Sequence, residues 1–589
     1  MRKKILFFFL FFLPSYIFSY ESELSVGETV GKIEGSRLDE FVEKYLATVL
    51  MYDPERATKL GIHDNDSLLT EREYANQENY LNSIKLLMKD VERIDRDTLD
   101  RYKQTEYDLL YSLLHREIYN IEKMSILATR PQYYLEPFDI VYFMLSKDYA
   151  NYNIRAQAAY KRFKKIPDIL YQAERNLTRP PKIWTQYSIK RSSLLIENIN
   201  EYYNVFRNYI GLDPTLKNEF EKTLNNVKDA LVRYKNYLEK NVLKKSNGKA
   251  SIGLYTYGYY LENWHKIYYN PRKALRIARK NFEKEYRNLK DEAIKINPQE
   301  YEINGVAGVY NFIKGEHPSY DNLIKYISDE IDKAKNHFDE YKVVRFPKQR
   351  FLIKNLPEFL KGVYPTIFYL PSYPLDREGT SELYILANEK YGEDFISYVY
   401  SQPKIELYIS ELVIPGLHTK NDYLRDIPKI RRIVSQPSIE GGWAIYSDDL
   451  ASEMGYYTTV YSNFLLSYSR TLKALRAYLD VAFHIDDLSF DEGVSYFKEK
   501  FGFNDEISNY EMINISLNPT VYYAQIYGYM EIKDLRKKYV SEENKFFDMR
   551  EFHSDILSRG NVPMDDIIDE LKMIRKERLK AKIEEENEE

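Results

Sequence analysis

Not one cysteine occurs among the 589 residues, and this constrains the fold more than any motif does. The N-terminus reads as a secretory signal: Met1 to Lys4 is basic, Ile5 to Leu13 is an unbroken apolar run, and Ser19 precedes the polar Tyr20 and Glu21. Exported proteins commonly draw on disulfides, whereas this chain must be held by its core alone. With 44% hydrophobic residues it has material for a large one. The missing thiol also removes cysteine nucleophiles, thiolate metal sites and lipid attachment through cysteine. The expected location is therefore the periplasm or envelope, not as a lipoprotein, with membrane contact only through the export signal. That apolar run is short for a membrane span, and no second long one follows.

Charge narrows the partners. Lys plus Arg number 85 against 90 Asp plus Glu, a net of −5. Nucleic acid requires a concentrated positive surface, so it is not an expected partner. Tyrosine is abundant at 57 residues, which reads first as a usage bias and second as an aromatic surface for sugars or peptides.

Helical spacing dominates the rest. Leu109, Leu110, Leu113, Leu114 and Ile118 recur on one face. Asn270-Pro271 supplies a cap and a first-turn proline, Ser489 with Glu492 a capping box, and Gly502 a stop. "KVVRFPKQRFLI" and "IFYLPSYPLD" are the better candidates for strand or extended chain, and "LKKSNGKAS" at 243–251 for a loop or hinge. The expected organisation is mostly α: a signal peptide (1–20), an N-terminal helical lobe (21–250), a C-terminal helical lobe (251–575) with a central cleft, and a charged tail (576–589).

Eight histidines without cysteine direct a metal search to His and carboxylate pairs. His418 and His484 are the strongest candidates; His63, His115, His265, His317 and His337 lie outside any ligand-like cluster. Five segments then follow in order: "ELVIPGLH", "EGGWAIYSD", "RAYLDVAFH", "PTVYYAQIYG" and "FHSDILSRGNVP". In these the chain resembles the bacterial family of unknown function 885 (DUF885), whose members look like zincin metallopeptidases. The family carries H-E-x-x-P-G-H-H, E-G-W-A-x-Y-x-E, R-x-x-x-D-x-x-x-H, P-x-Q-x-x-x-Y-x-x-G and F-H-x-x-x-L-x-x-G-x-x-P at the corresponding places.

Anchored on Pro415-Gly416, the resemblance puts the family's first histidine on Glu411, its catalytic glutamate on Leu412, and its paired histidines on Leu417 and His418. In a zincin that glutamate takes the proton from zinc-bound water, which leucine cannot do. Glu411 and His418, seven apart, would stand roughly 10 Å apart along a straight helix, so any joint site depends on a bend at Pro415-Gly416. Anchored on Trp443, the leading glutamate becomes Gly441, with Glu440 displaced by one residue, and the later glutamate becomes Asp448. In the fourth segment the glutamine and tyrosine become Val521 and Gln525, which removes a candidate oxyanion donor.

Arg476, Asp480 and His484 are spaced by four, so a hydrogen-bonded row on one helix face is feasible. It could orient a metal ligand or serve as a structural network. The departures have a direction: backbone-shaping and packing positions match (Pro415, Gly416, Trp443, Ala444, Tyr446, Pro519, Gly528), while those that would bind metal or move protons are altered. The leading expectation is a non-catalytic protein of this family, without cofactor, that binds peptides or another envelope protein. The alternative is a metal-dependent, zinc-binding peptidase with Glu411, His418, Glu440 and Asp448 as ligands and His484 or a carboxylate as base, Arg476, Asp480 and His484 being the candidate catalytic residues. A tyrosine-rich saccharide-binding surface is the third.

Overall fold

The computed structural model describes residues 26–588, apart from 212, 314–316, 362 and 388–391; the export signal lies outside this range. The chain is mostly α-helical, with one small sheet. Local signals place the helix ends. Asn270 caps the helix Pro271–Ile296 by accepting from the Arg272 amide, and Ser489 and Glu492 form a reciprocal capping box. Gly502 closes that second helix at φ 67°, a conformation that favours glycine.

Seven helices build the site: α1 (Lys182–Glu197), α2 (Gln402–Leu412), α3 (Leu417–Tyr423), α4 (Pro437–Glu453), α5 (Ser462–His484), α6 (Asp505–Leu517) and α7 (Val521–Glu543). Helix α4 lies along α7, α2 packs on both α4 and α5, and α5 also rests on Pro271–Ile296. The glycines explain the α4–α7 approach. A Cβ on Gly528 would stand 1.7 Å from the Ser438 carbonyl oxygen, and one on Gly442 would stand 2.8 Å from the Gly528 carbonyl carbon.

Three strands, β1 (Phe351–Asn355), β2 (Ile367–Leu370) and β3 (Ser381–Ile385), form a sheet in the order β1-β3-β2. β1 runs parallel to β3 with Phe351 opposite Ser381, and β2 antiparallel with Ile367 opposite Ile385. β2 falls within one of the segments expected to be extended, and β1 begins in the other and runs two residues past it. β3 is buried along its whole length, so it lacks the in–out alternation that reveals a half-exposed strand.

The apolar core does not divide at residue 250. One cluster joins Leu38–Leu114 to residues between Leu323 and Leu571, and another joins Leu69–Val242 to Leu356–Leu386. Arg431 ties the same distant segments with charge: fully buried, it pairs with Glu106 at 3.2 Å and Glu570 at 2.7 Å. Helical periodicity reports which face is apolar, not which segment covers it, so the boundary read from the 243–251 loop separates stretches of chain rather than cores.

Candidate functional site

Helices α2, α4 and α5 each send a charged side chain to one buried point. Glu411 stands on the last turn of α2, Asp448 in the middle of α4, and Lys473 on α5. The Lys473 ammonium lies 3.0 Å from Glu411 Oε2 and 3.0 Å from Asp448 Oδ2. Ser410 Oγ lies 3.1 Å from Asp448 Oδ1 and 2.9 Å from the Tyr457 hydroxyl. Burial pushes the Asp448 carboxyl up to about 6 against the pull of Lys473, and Glu411 raises it further. Burial works against the Lys473 ammonium too, but the Asp448 and Glu411 charges outweigh it and hold its pKa above the ordinary range.

The other expected ligands go elsewhere. The chain does break at Val413–Gly416, but the break sends His418 towards the sheet. Its ring centroid lies 4.9 Å from that of Phe351, and its Nδ1 lies 3.3 Å from the Tyr369 hydroxyl. Burial lowers the His418 pKa to about 4, so the ring is neutral. Glu440 closes the start of α4 by accepting from Ser435 Oγ at 2.9 Å and the Gln436 amide at 3.1 Å. Among the described residues no three His, Asp or Glu side chains gather where a metal ion could sit.

Zinc therefore fits these residues poorly, on the evidence of the donors themselves. Two carboxylates converge, their shared charge is met by an ammonium, and the candidate imidazole is packed against aromatic rings. The Gly441–Gln525 pair points the same way. A Cβ on Gly441 would stand 2.2 Å from Gln525 Cγ, so the space of the carboxylate that the resemblance expects is occupied by the residue replacing its tyrosine.

Arg476, Asp480 and His484 share a face of α5 but form no single row. Arg476 makes a two-pronged ion pair with Glu511 of α6, both contacts at 2.7 Å. Asp480 accepts the amides of Thr520 at 2.9 Å and Tyr523 at 3.0 Å, capping α7. His484 donates from Nε2 to the Ile515 carbonyl at 2.9 Å and stands 4.0 Å from Asp480. Burial raises Asp480 to about 7, above its unfolded value, so its contribution to stability is complete in acid and falls as pH rises through 7. Asp480→Ala is expected to cost about 1–2 kcal/mol by loss of the cap, with urea unfolding showing a larger penalty at pH 5 than at pH 8.

The matching landmarks are joints of the scaffold. Trp443 donates from Nε1 to the Pro415 carbonyl at 2.9 Å. His553 packs edge-on against Trp443 and meets the Tyr446 hydroxyl at 2.9 Å. Lys473, Ser410 and Tyr457 were not expected from sequence. The one available signal for Lys473 was its place three residues before Arg476, on the same polar stripe of an otherwise apolar helix.

Near this cluster, Tyr408 of α2 and Tyr457 are only half-buried, yet burial pushes the pKa of both hydroxyls well above the usual tyrosine value. A cleft of about 700 Å³ separates α1 from α6, with Tyr187 and Tyr510 among its walls and Lys190 and Glu506 in ion contact at 2.8 Å. Among the described residues, exposed tyrosines are scattered: Tyr74, Tyr171, Tyr255 and Tyr398 are on four different helices, and Tyr268 and Tyr341 lie between elements.

The model of a bacterial protein family of unknown function, DUF885, matches residues 54–571. A solved structure described as "a putative lipoprotein of unknown function", from Shewanella oneidensis, is similar with a TM-score of 0.71 and 16% identity, covering 91% of this chain and 99% of its own. A second, described as a "putative lipoprotein" from Colwellia psychrerythraea, gives 0.71 and 16%, covering 91% and 98%. No curated protein matches. Among the described residues no helix is long and apolar enough to cross a membrane.

Proposed function

From the premise that this chain belongs to the DUF885 family of bacterial proteins, we propose that it is an exported, non-catalytic member that binds peptides or a protein segment. The observation that carries this reading is Lys473, whose ammonium sits between Glu411 and Asp448. The resemblance assigns these two positions to a metal ligand and to the motif's later glutamate. A metallopeptidase needs a divalent cation there, with a proton acceptor beside it. This chain supplies a monovalent charge of its own, and leucine at 412 instead of an acceptor.

The cleft between α1 and α6 is the proposed recognition surface. Tyrosine rings bury area at low entropic cost, and mixed charge along the rim suits a peptide, which carries both signs. Export follows from the basic and apolar N-terminus.

Incubating the purified protein with a defined peptide library and recovering the bound fraction tests this reading. The expected result is retention of a subset of peptides, all with intact mass. Cleaved products, abolished by a chelator, would overturn it.

A further inference from the structure

A second recess opens between the N-terminal helices and the end of α6, apart from the Lys473 cluster. Its volume is about 420 Å³, and its walls include Tyr80, Arg130, Gln132, Tyr133 and Glu136, with Leu517 and Asn518 at one side. Arg130 and Glu136 bring opposite charges into it. The Glu136 charge acts on Arg130, and Glu136 itself feels Lys59, Arg72 and Arg191, yet among the described residues neither the Arg130 nor the Glu136 side chain makes an ion pair or hydrogen bond. The Arg130 guanidinium instead lies over the Trp184 ring, 5.5 Å from its centroid. Both side chains are half-buried, and burial lowers the Arg130 pKa and raises that of Glu136.

Two further groups in these walls lack partners. Gln132 is 93% buried, at 7% exposure, and both its amide atoms are unpaired, as is the buried Tyr80 hydroxyl. Leaving such a group unsatisfied is destabilising, and buried polar groups in native proteins are nearly always satisfied. A ligand that completes several at once accounts for all of them together.

The charges select its chemistry. A simple anion meets repulsion from Glu136, Asp53, Glu71 and Glu117, all of which border the recess. A simple cation leaves Arg130 uncompensated. A molecule carrying both signs a few bonds apart satisfies the two ends, and the Gln132 amide can donate to one and accept from the other. The volume lies in the range of small-molecule sites.

We propose that this recess binds a small zwitterion, a free amino acid or dipeptide, with its carboxylate on Arg130, its ammonium on Glu136 and the Gln132 amide bridging them. The proposal is independent of whether the Lys473 cluster is catalytic.

The test is calorimetric titration of the whole exported chain with free amino acids and dipeptides, each paired with its N-acetylated and its C-amidated form. At least one zwitterion is expected to bind one-to-one and to weaken at least tenfold when either end is blocked. Arg130→Met and Glu136→Gln should each weaken that binding at least tenfold. Gln132→Leu should weaken it while raising the thermal midpoint, because it removes the unpaired amide; this variant keeps the test decisive should the charge variants unfold. No binding across the panel, equal binding of blocked forms, or Gln132→Leu that binds normally would overturn the proposal and leave the recess to ordered water.

Discussion

Lys473→Met is expected to cost about 3–5 kcal/mol of stability at pH 8, because it strands Glu411 and the fully buried Asp448 without a counter-charge. The pH dependence follows from the sign of one shift. The Asp448 carboxyl sits at about 6 in the folded protein, above the ordinary carboxylate value. Its contribution to stability is therefore complete in acid and is lost as pH rises through 6. Removing the lysine removes the positive charge that holds this pKa down, so the loss extends to higher pH. The penalty should shrink between pH 8 and pH 5 as Asp448 takes up a proton. Adding Glu411→Gln and Asp448→Asn to the lysine change should recover most of it, since a neutral cluster has no stranded charge. Denaturant unfolding of the wild type, the lysine variant and the triple variant at two pH values reads this directly, and a penalty independent of pH would mean that the three charges do not form one unit.

Gly528→Ala is the second large effect. The added methyl would fall 1.7 Å from the Ser438 carbonyl oxygen and 2.4 Å from its carbon. Both are backbone atoms, so no side-chain rotation relieves the clash and α4 must move off α7. Overpacking typically costs about 1–3 kcal/mol, and a backbone-to-backbone collision belongs at or above the upper end. The same movement would separate Gly441 from Gln525 and shift Asp448 relative to Lys473. Gly528→Ala should therefore lower the thermal midpoint and also flatten the pH dependence set by Asp448. A wild-type midpoint would show that the two helices are not in contact there.

The fold was legible where its causes are local. Asn270 before Pro271, Ser489 with Glu492, and Gly502 each fix a helix end through bonds made within a few residues. β3 was not legible, since a strand buried on both faces carries no period-two signature. The α5 stripe was half legible: spacing by four puts Arg476, Asp480 and His484 on one side. Each then bonds a different neighbour, Glu511, the α7 amides and the Ile515 carbonyl. Helix periodicity fixes direction, whereas a hydrogen bond requires a partner within about 3 Å, and that partner comes from elsewhere in the chain.

The site followed the same division. Comparing motifs identified what had changed at Leu412, Gly441 and Gln525, because those changes are written in the residues themselves. It did not identify what stands in their place. Lys473 meets Glu411 and Asp448 only through the packing of α5 on α2 and of α2 on α4, and no spacing along the chain announces it. His418 shows the opposite failure. Its place beside Pro415-Gly416 marked it as a ligand, but the bend that was needed to bring it to Glu411 carries it to Phe351 and Tyr369 instead.

An internal ammonium in the position of a divalent ion is the claim on which the functional reading rests, and zinc titration of the purified protein tests it most directly. The account predicts that the wild-type chain, dialysed against zinc and then against buffer, retains far less than one equivalent, and that His418→Ala leaves the amount unchanged. One tightly held equivalent, lost on changing Glu411, Asp448 or His418 and accompanied by chelator-sensitive peptide cleavage, would contradict it.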